Sequence, residues 1–277
     1  MIKTAIQLKA KVRNKSNGND KIAKTMIRLF FMERFLERVS LSKYKEQFIL
    51  KGGMLTASFL GIHVRATMDI DTTVRALPLI KEDMEKIIKE ICELPLDDCI
   101  MFKIVRIDTI MDEFEYPGIR IHLEANLEKL RQPIKIDIST DDVITPGAIE
   151  YGYPLIFENR KIELYTYNIE TLLAEKTQTI ISRGTANTRM RDFYDLYEII
   201  QKMKFSWNIY KDAFDATCRR RQTVFTKEEI KLELQNLHSS IQMEEFWNQF
   251  KYKNYFVEDI EYSKMLSCLS EAILRIS

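Results

Sequence analysis

Residues 51–74 read KGGMLTASFLGIHVRATMDIDTTV, and the reading of this stretch decides the fold. The apolar run before it, Phe48-Ile49-Leu50, reads as a buried strand. Lys51-Gly52-Gly53 follows as a turn. Met54 to Leu60 makes two turns of helix, and Gly61 caps its end in the left-handed conformation. Asp69-Ile70-Asp71 then opens a second β-branched run. The order is strand, Gly-Gly turn, short helix and strand, with two carboxylates at i and i+2.

Side chains on a strand alternate faces, so Asp69 and Asp71 point the same way while Ile70 enters the core. Two adjacent carboxylates repel each other unless a cation lies between them. Mg²⁺ suits that position where phosphates are also present, because one or two carboxylates plus substrate oxygens complete its shell. Gly52 and Gly53 let a bulky anion approach the backbone, and the helix behind them offers unpaired N–H groups. A phosphate-binding turn beside a metal-binding acid pair outlines a nucleotidyl-transfer site. An Asp-x-Asp or a Gly-Gly alone carries little, since most are solvated surface and plain turns.

Working outward, 277 residues fit one large domain or two modest ones, and 45% hydrophobic with 30% charged residues describes a globular chain. The formal net charge of +1 excludes a global basic field, so a nucleic-acid partner would have to be met by a local patch. Cys92, Cys99, Cys218 and Cys268 match no zinc spacing and read as free thiols in a reducing compartment. His63, His122 and His238 are too scattered for a metal cluster. With no signal-peptide core and no membrane-length apolar run, a soluble cytoplasmic protein is expected.

Toward the N-terminus, residues 4–12 read as a short helix. Asp20 is expected to cap a longer one whose apolar positions recur from Ile22 to Val39. Beyond the acid pair, Lys81 to Leu94 reads as an amphipathic helix. Met101 to Ile107, Ile119 to Ala125 and Ile134 to Ile138 read as strands with short connections, hence antiparallel. Met111 to Gly118 is an acidic turn. On the third strand Ile134, Ile136 and Ile138 face one way, so Lys135 and Asp137 face the other. Beside the acid-pair strand, Asp137 would be a third carboxylate. Asp141 and Asp142 read as turn residues before Thr145-Pro146-Gly147. Ile162 to Tyr167 is strand-like. From 168 onward the pattern is helical: 168–182, 191–203, about 207–221, 227–237, 240–251 and 259–275. The expected division is an α/β domain over 1–167 and a helical domain over 168–277.

At the start of the helical part, Leu172, Leu173, Ile180 and Ile181 make an apolar face, with Lys176 at its edge. Asp192 and Asp195 share a face of a later helix. The run Arg219-Arg220-Arg221 reads as a solvated helix end.

Taken together, KGG and RATMDID (Lys51 to Asp71), IDI with its DxxTP tail (Ile136 to Pro146), AEK (Ala174 to Lys176) and RGTANTRMRDFYDLY (Arg183 to Tyr197) resemble the AbiEii toxin family of bacterial nucleotidyltransferases. The matches run in family order over roughly residues 20–200, and the last segment is the most distinctive. The resemblance implies an α+β fold: a polymerase-β-like nucleotidyltransferase domain with a mixed or antiparallel sheet, and a helical C-terminal domain that completes the active site. It implies Mg²⁺ on Asp69 and Asp71, an essential Lys176 on the nucleotide phosphates, and an essential aspartate, Asp195 by position with Asp192 as the alternative. Asp137 is assigned to bridging a metal or accepting the acceptor's proton. Gly52, Gly53, Arg189 and Arg191 are assigned to the nucleotide phosphates, with Arg183, Arg189 and Arg191 also candidates for meeting RNA. Met54 departs from the small residue that relatives often carry after the first glycines. The implied activity is transfer of a nucleoside monophosphate from an NTP to an acceptor, the tRNA 3′ end. The setting is a toxin–antitoxin and abortive-infection system that defends against phage. The implied partner is a winged-helix antitoxin encoded alongside, with no stable complex required. The alternative is a non-catalytic GTP- or nucleotide-binding regulator, or a kinase-like protein.

Overall fold

The computed structural model describes residues 1–61, 69–110, 118–254, 256–257 and 259–277. His63, the RAT that leads into the acid pair, and most of the acidic turn expected from Met111 lie outside the described residues. The chain divides into two compact units, Met1–Asp142 with Ala148–Tyr167, and Val143–Gly147 with Asn168–Ser277.

The first unit carries a seven-stranded mixed sheet in the order β3-β4-β5-β2-β1-β7-β6. Its strands are β1 (Phe48–Lys51), β2 (Ile70–Val74), β3 (Ile100–Ile110), β4 (Gly118–Leu127), β5 (Leu130–Thr140), β6 (Ile149–Pro154) and β7 (Lys161–Thr166). β3, β4 and β5 form the expected antiparallel meander. β2 then joins β5 in parallel, β1 lies antiparallel to β2, and β7 is parallel to β1. Helices α1 (Ala5–Ser16), α2 (Asp20–Leu41), α3 (Gly52–Phe59) and α4 (Lys81–Cys92) complete this unit. α3 begins at Gly52, so the corner between β1 and the helix is tighter than the expected three-residue turn. Gly61 has φ +67° just beyond α3, as a left-handed cap requires.

α2 starts from an Asn19 cap rather than from Asp20. The Asn19 Oδ1 accepts from the N–H groups of Lys21 and Ile22, and Asp20 is the first helical residue. Phe30, Phe31, Phe35, Leu36 and Val39 of α2 are buried as the periodicity requires. Glu33, Arg34, Glu37 and Arg38 are buried as well. Arg38 forks onto Asp98 at 2.8 and 2.9 Å. Arg160 reaches Glu37 at 2.6 Å, and the Ile156 N–H donates to Glu33 at 3.0 Å. The segment joining β6 to β7 thus binds the charged side of α2, a long-range pairing that helical periodicity does not reveal. Burial pushes the Glu33 carboxyl up to about 8, against the pull of the Ile156 N–H.

The second unit holds α5 (Ile169–Arg183), α6 (Met190–Lys202), α7 (Trp207–Arg220), α8 (Lys227–Ser239), α9 (Ile241–Lys253) and α10 (Tyr262–Ile276). Asn168 caps α5 through the Thr171 N–H, and its Nδ2 donates to the Thr145 and Gly147 carbonyls. Those bonds tie residues 143–147 to the helices. The α+β class is as expected: a mixed sheet with helices, followed by an all-helical part. Among the described residues no helix is long and apolar enough to cross a membrane.

Candidate active site

The first unit gathers its polar chemistry on one rung of the sheet. Arg120 on β4 is the cross-strand partner of Asp137 on β5, Asp137 of Asp71 on β2, and Asp71 of Lys51 on β1. Side chains of such partners share a face. The charges therefore read plus, minus, minus, plus across four strands. Ile136 and Ile70, one residue earlier on their strands, are wholly buried on the opposite face. The apolar half of the alternation fixes the register and so presents the acids together.

Asp71 is seated by the glycine corner. The Gly53 N–H donates to the Asp71 Oδ2 at 3.1 Å. Gly52 has φ +64°, and a Cβ there would lie 2.1 Å from the same oxygen. Glycine at 52 is thus required both by the backbone conformation and by the carboxylate. Gly53 was expected to face phosphate, and its N–H instead holds an acid in place. Burial raises the Asp71 carboxyl to about 6, helped by the charge of Asp137 and opposed by the Gly53 N–H and Lys51. Asp69 stands one residue before β2. Burial, and then Asp137, raises its carboxyl too.

The Asp69 Oδ1 is buried with no hydrogen-bond partner among the described residues. An orphaned carboxylate oxygen beside a second carboxylate fits a cation. No three His, Cys, Asp or Glu side chains among the described residues make a closed metal cage. Two carboxylates with positions left for substrate oxygens is the donor set of Mg²⁺. Asp137 differs from the pair. Both its oxygens accept from Arg120, Oδ1 from Nε at 2.7 Å and Oδ2 from Nη2 at 2.6 Å.

Lys51 contacts the Asp142 Oδ2, which also accepts from the Ser139 Oγ at 2.7 Å and the Tyr167 Oη at 2.9 Å. Asp142 is more than a turn residue, correcting the expectation. Burial alone would raise it, but the Lys51 charge and these bonds hold it below the usual carboxylate range. Reading the sequence missed Lys51, Arg120 and Asp142. For Arg120 a signal existed: the alternation IRIHLEA puts Arg120 opposite the core, as IKIDI does Asp137.

In the second unit the Lys176 Nζ of α5 lies 2.7 Å from the Asp192 Oδ1 and 2.8 Å from the Asp195 Oδ2, both on α6. The Asp195 side chain is fully buried and that of Lys176 is 11% exposed. Arg189 caps α6 from an exposed position, Arg191 is half-buried on its first turn, and Arg183 is half-buried at the end of α5. Arg221 is not a solvated helix end. It donates to Gln178 at 2.6 Å and Thr179 at 3.1 Å, bracing α5 next to Lys176.

The structure is similar to MenT4, a nucleotidyltransferase toxin from Mycobacterium tuberculosis H37Rv, with TM-score 0.56 and 14% identity over 96% of this chain and 97% of that one. Weaker similarity is found to JHP933 from Helicobacter pylori, with TM-score 0.48 and 13% identity over 91% of each chain. At such identities the likeness speaks to the fold. No curated protein matches the sequence. The family model described as nucleotidyl transferase AbiEii toxin, type IV TA system, matches residues 34–264. The chain therefore belongs to the AbiEii family of nucleotidyltransferase toxins of type IV toxin–antitoxin systems.

Proposed function

We propose that this nucleotidyltransferase moves a nucleoside monophosphate from an NTP to an RNA acceptor, the tRNA 3′ end, in a Mg²⁺-dependent reaction at Asp69 and Asp71. The observation that carries the reading is the acid pair itself, with Asp71 seated on the Gly52–Gly53 corner and the Asp69 Oδ1 unsatisfied. A bound cation there supplies charge neutralisation at the transferring phosphate. The chain's own residues do the remaining work by positioning and electrostatics. The glycine corner and the first turn of α3 face the triphosphate. Lys176 neutralises charge on the departing pyrophosphate, with Asp192 and Asp195 holding its ammonium in place. Arg189 and Arg191 contact phosphates, and with Arg183 they form the local patch that a near-neutral chain needs to meet RNA. In the cell the activity is that of a toxin in an abortive-infection phage-defence system. It is restrained by a cognate winged-helix antitoxin without requiring a stable complex.

Incubation with each α-labelled NTP, Mg²⁺ and total bacterial RNA tests this. Label is expected in small RNA and is lost when the cation is chelated. Label on protein alone, or nucleotide binding without pyrophosphate release, would contradict it.

A further inference from the structure

Arg120 lies outside the residue set that the family resemblance supplies, yet it is the group most tightly fitted to the acids. Its guanidinium takes both oxygens of Asp137. A bidentate pair fixes the plane of the carboxylate as well as its place. A carboxylate offers about four acceptor sites, and the fork uses two. Asp137 thus keeps room for one more donor, in an orientation Arg120 sets. Its two neighbours are engaged otherwise: Asp71 is seated by Gly53, and Asp69 carries the unsatisfied oxygen.

We infer that Arg120 is a positioning residue that commits Asp137 to the acceptor hydroxyl rather than to the cation. The inference rests on the transfer reading above. In the step concerned, the acceptor oxygen bonds to the α-phosphorus. The bond from that phosphorus to the β-bridging oxygen breaks, and pyrophosphate leaves with the electron pair. The hydroxyl proton passes to Asp137. Arg120 touches neither reactant and acts through the carboxylate it holds.

The test compares Arg120→Gln, Arg120→Lys, Asp137→Asn and the Arg120→Gln/Asp137→Asn double variant, each confirmed as folded by its circular dichroism. Measured are kcat, the KM for NTP, and Mn²⁺ affinity by calorimetry without nucleotide. Arg120→Gln and Asp137→Asn should each lower kcat about 100-fold or more, in the range of general base loss. KM and Mn²⁺ affinity should stay unchanged, and the double variant should be no slower than Asp137→Asn. Arg120→Lys should stay slow, because a point charge does not fix a carboxylate plane. An additive loss in the double variant, a raised KM, or full rate in Arg120→Lys would overturn the inference. So would a loss of Mn²⁺ affinity in Asp137→Asn equal to that in Asp69→Asn. If Asp69→Asn and Asp71→Asn still transfer, the fault lies with the transfer reading instead.

Discussion

At the scale of single residues, the acids set the first expectations. The native state holds the Asp71 proton up to about pH 6, whereas an unfolded carboxyl releases it near 3.8. Native protein binds more protons in that window, so its stability falls as pH rises through it. At neutral pH without cation the loss is on the order of 2 kcal/mol. Asp71→Asn is therefore expected to abolish transfer, flatten this pH dependence and leave the metal-free melting temperature at pH 7.5 equal or higher. Thermal melts from pH 4 to 8 check it, and a lower melting temperature for the variant at pH 7.5 would refute it. Gly52→Ala is expected to destabilise the corner and displace Asp71, costing transfer and the Mg²⁺-induced rise in melting temperature together. Lys176→Met tests the other unit. From sequence the lysine stands at the edge of an apolar face, and its loss is expected to affect chemistry alone. In the structure it lies between Asp192 and the buried Asp195. Removing one partner of such a group costs about 3–5 kcal/mol of stability. Activity should fall about 100-fold or more, roughly 3 kcal/mol of transition-state stabilisation. A chevron and a turnover assay on the same preparation separate the two effects.

At the scale of elements, what the sequence made legible was local. The helices of the second unit are readable because periodicity and caps such as the Thr226–Glu229 capping box lie within each segment. The strands of the meander alternate cleanly and were found, although β3 and β5 each run to 11 residues, longer than their alternating cores. β6 was missed: IEYGYP carries a glycine and a proline, and its pairing to β7 is all that makes it a strand. The buried charges of α2 were hidden for a related reason, since their partners Asp98, Ile156 and Arg160 lie far along the chain. Glu33 gives that face a measurable signature. Its folded value of about 8 exceeds the ordinary 4.5, so the stability it contributes is full below pH 4.5 and lost as pH rises through 8. Glu33→Gln should remove that decline and raise the melting temperature at pH 8, by about 2–4 °C per kcal/mol recovered. Parallel pH profiles for wild type and variant would refute the assignment.

At the scale of the whole molecule, the candidate site was legible in its residue types but not in its wiring. Asp69, Asp71 and Asp137 are recognisable from spacing and strand phase. Their union depends on β2 joining β5 in parallel, a pairing between segments some sixty residues apart that no local pattern encodes. The same pairing brings in Arg120 through β4, while β1 brings Lys51 and, through it, Asp142. The roles of Lys176, Asp192 and Asp195 rest on family resemblance, because an i, i+3 aspartate pair at a helix start is ordinary in isolation. The central claim is that the acid pair on the glycine corner performs the transfer. Its most direct test is pyrophosphate release per nucleotide incorporated into RNA, for wild type, Asp69→Asn and Asp71→Asn at equal folded concentration with Mg²⁺. Wild type should release one pyrophosphate for each nucleotide incorporated, about one to one by the chemistry of an in-line displacement, and both variants should release none above background; release from either variant at the wild-type rate would contradict the claim.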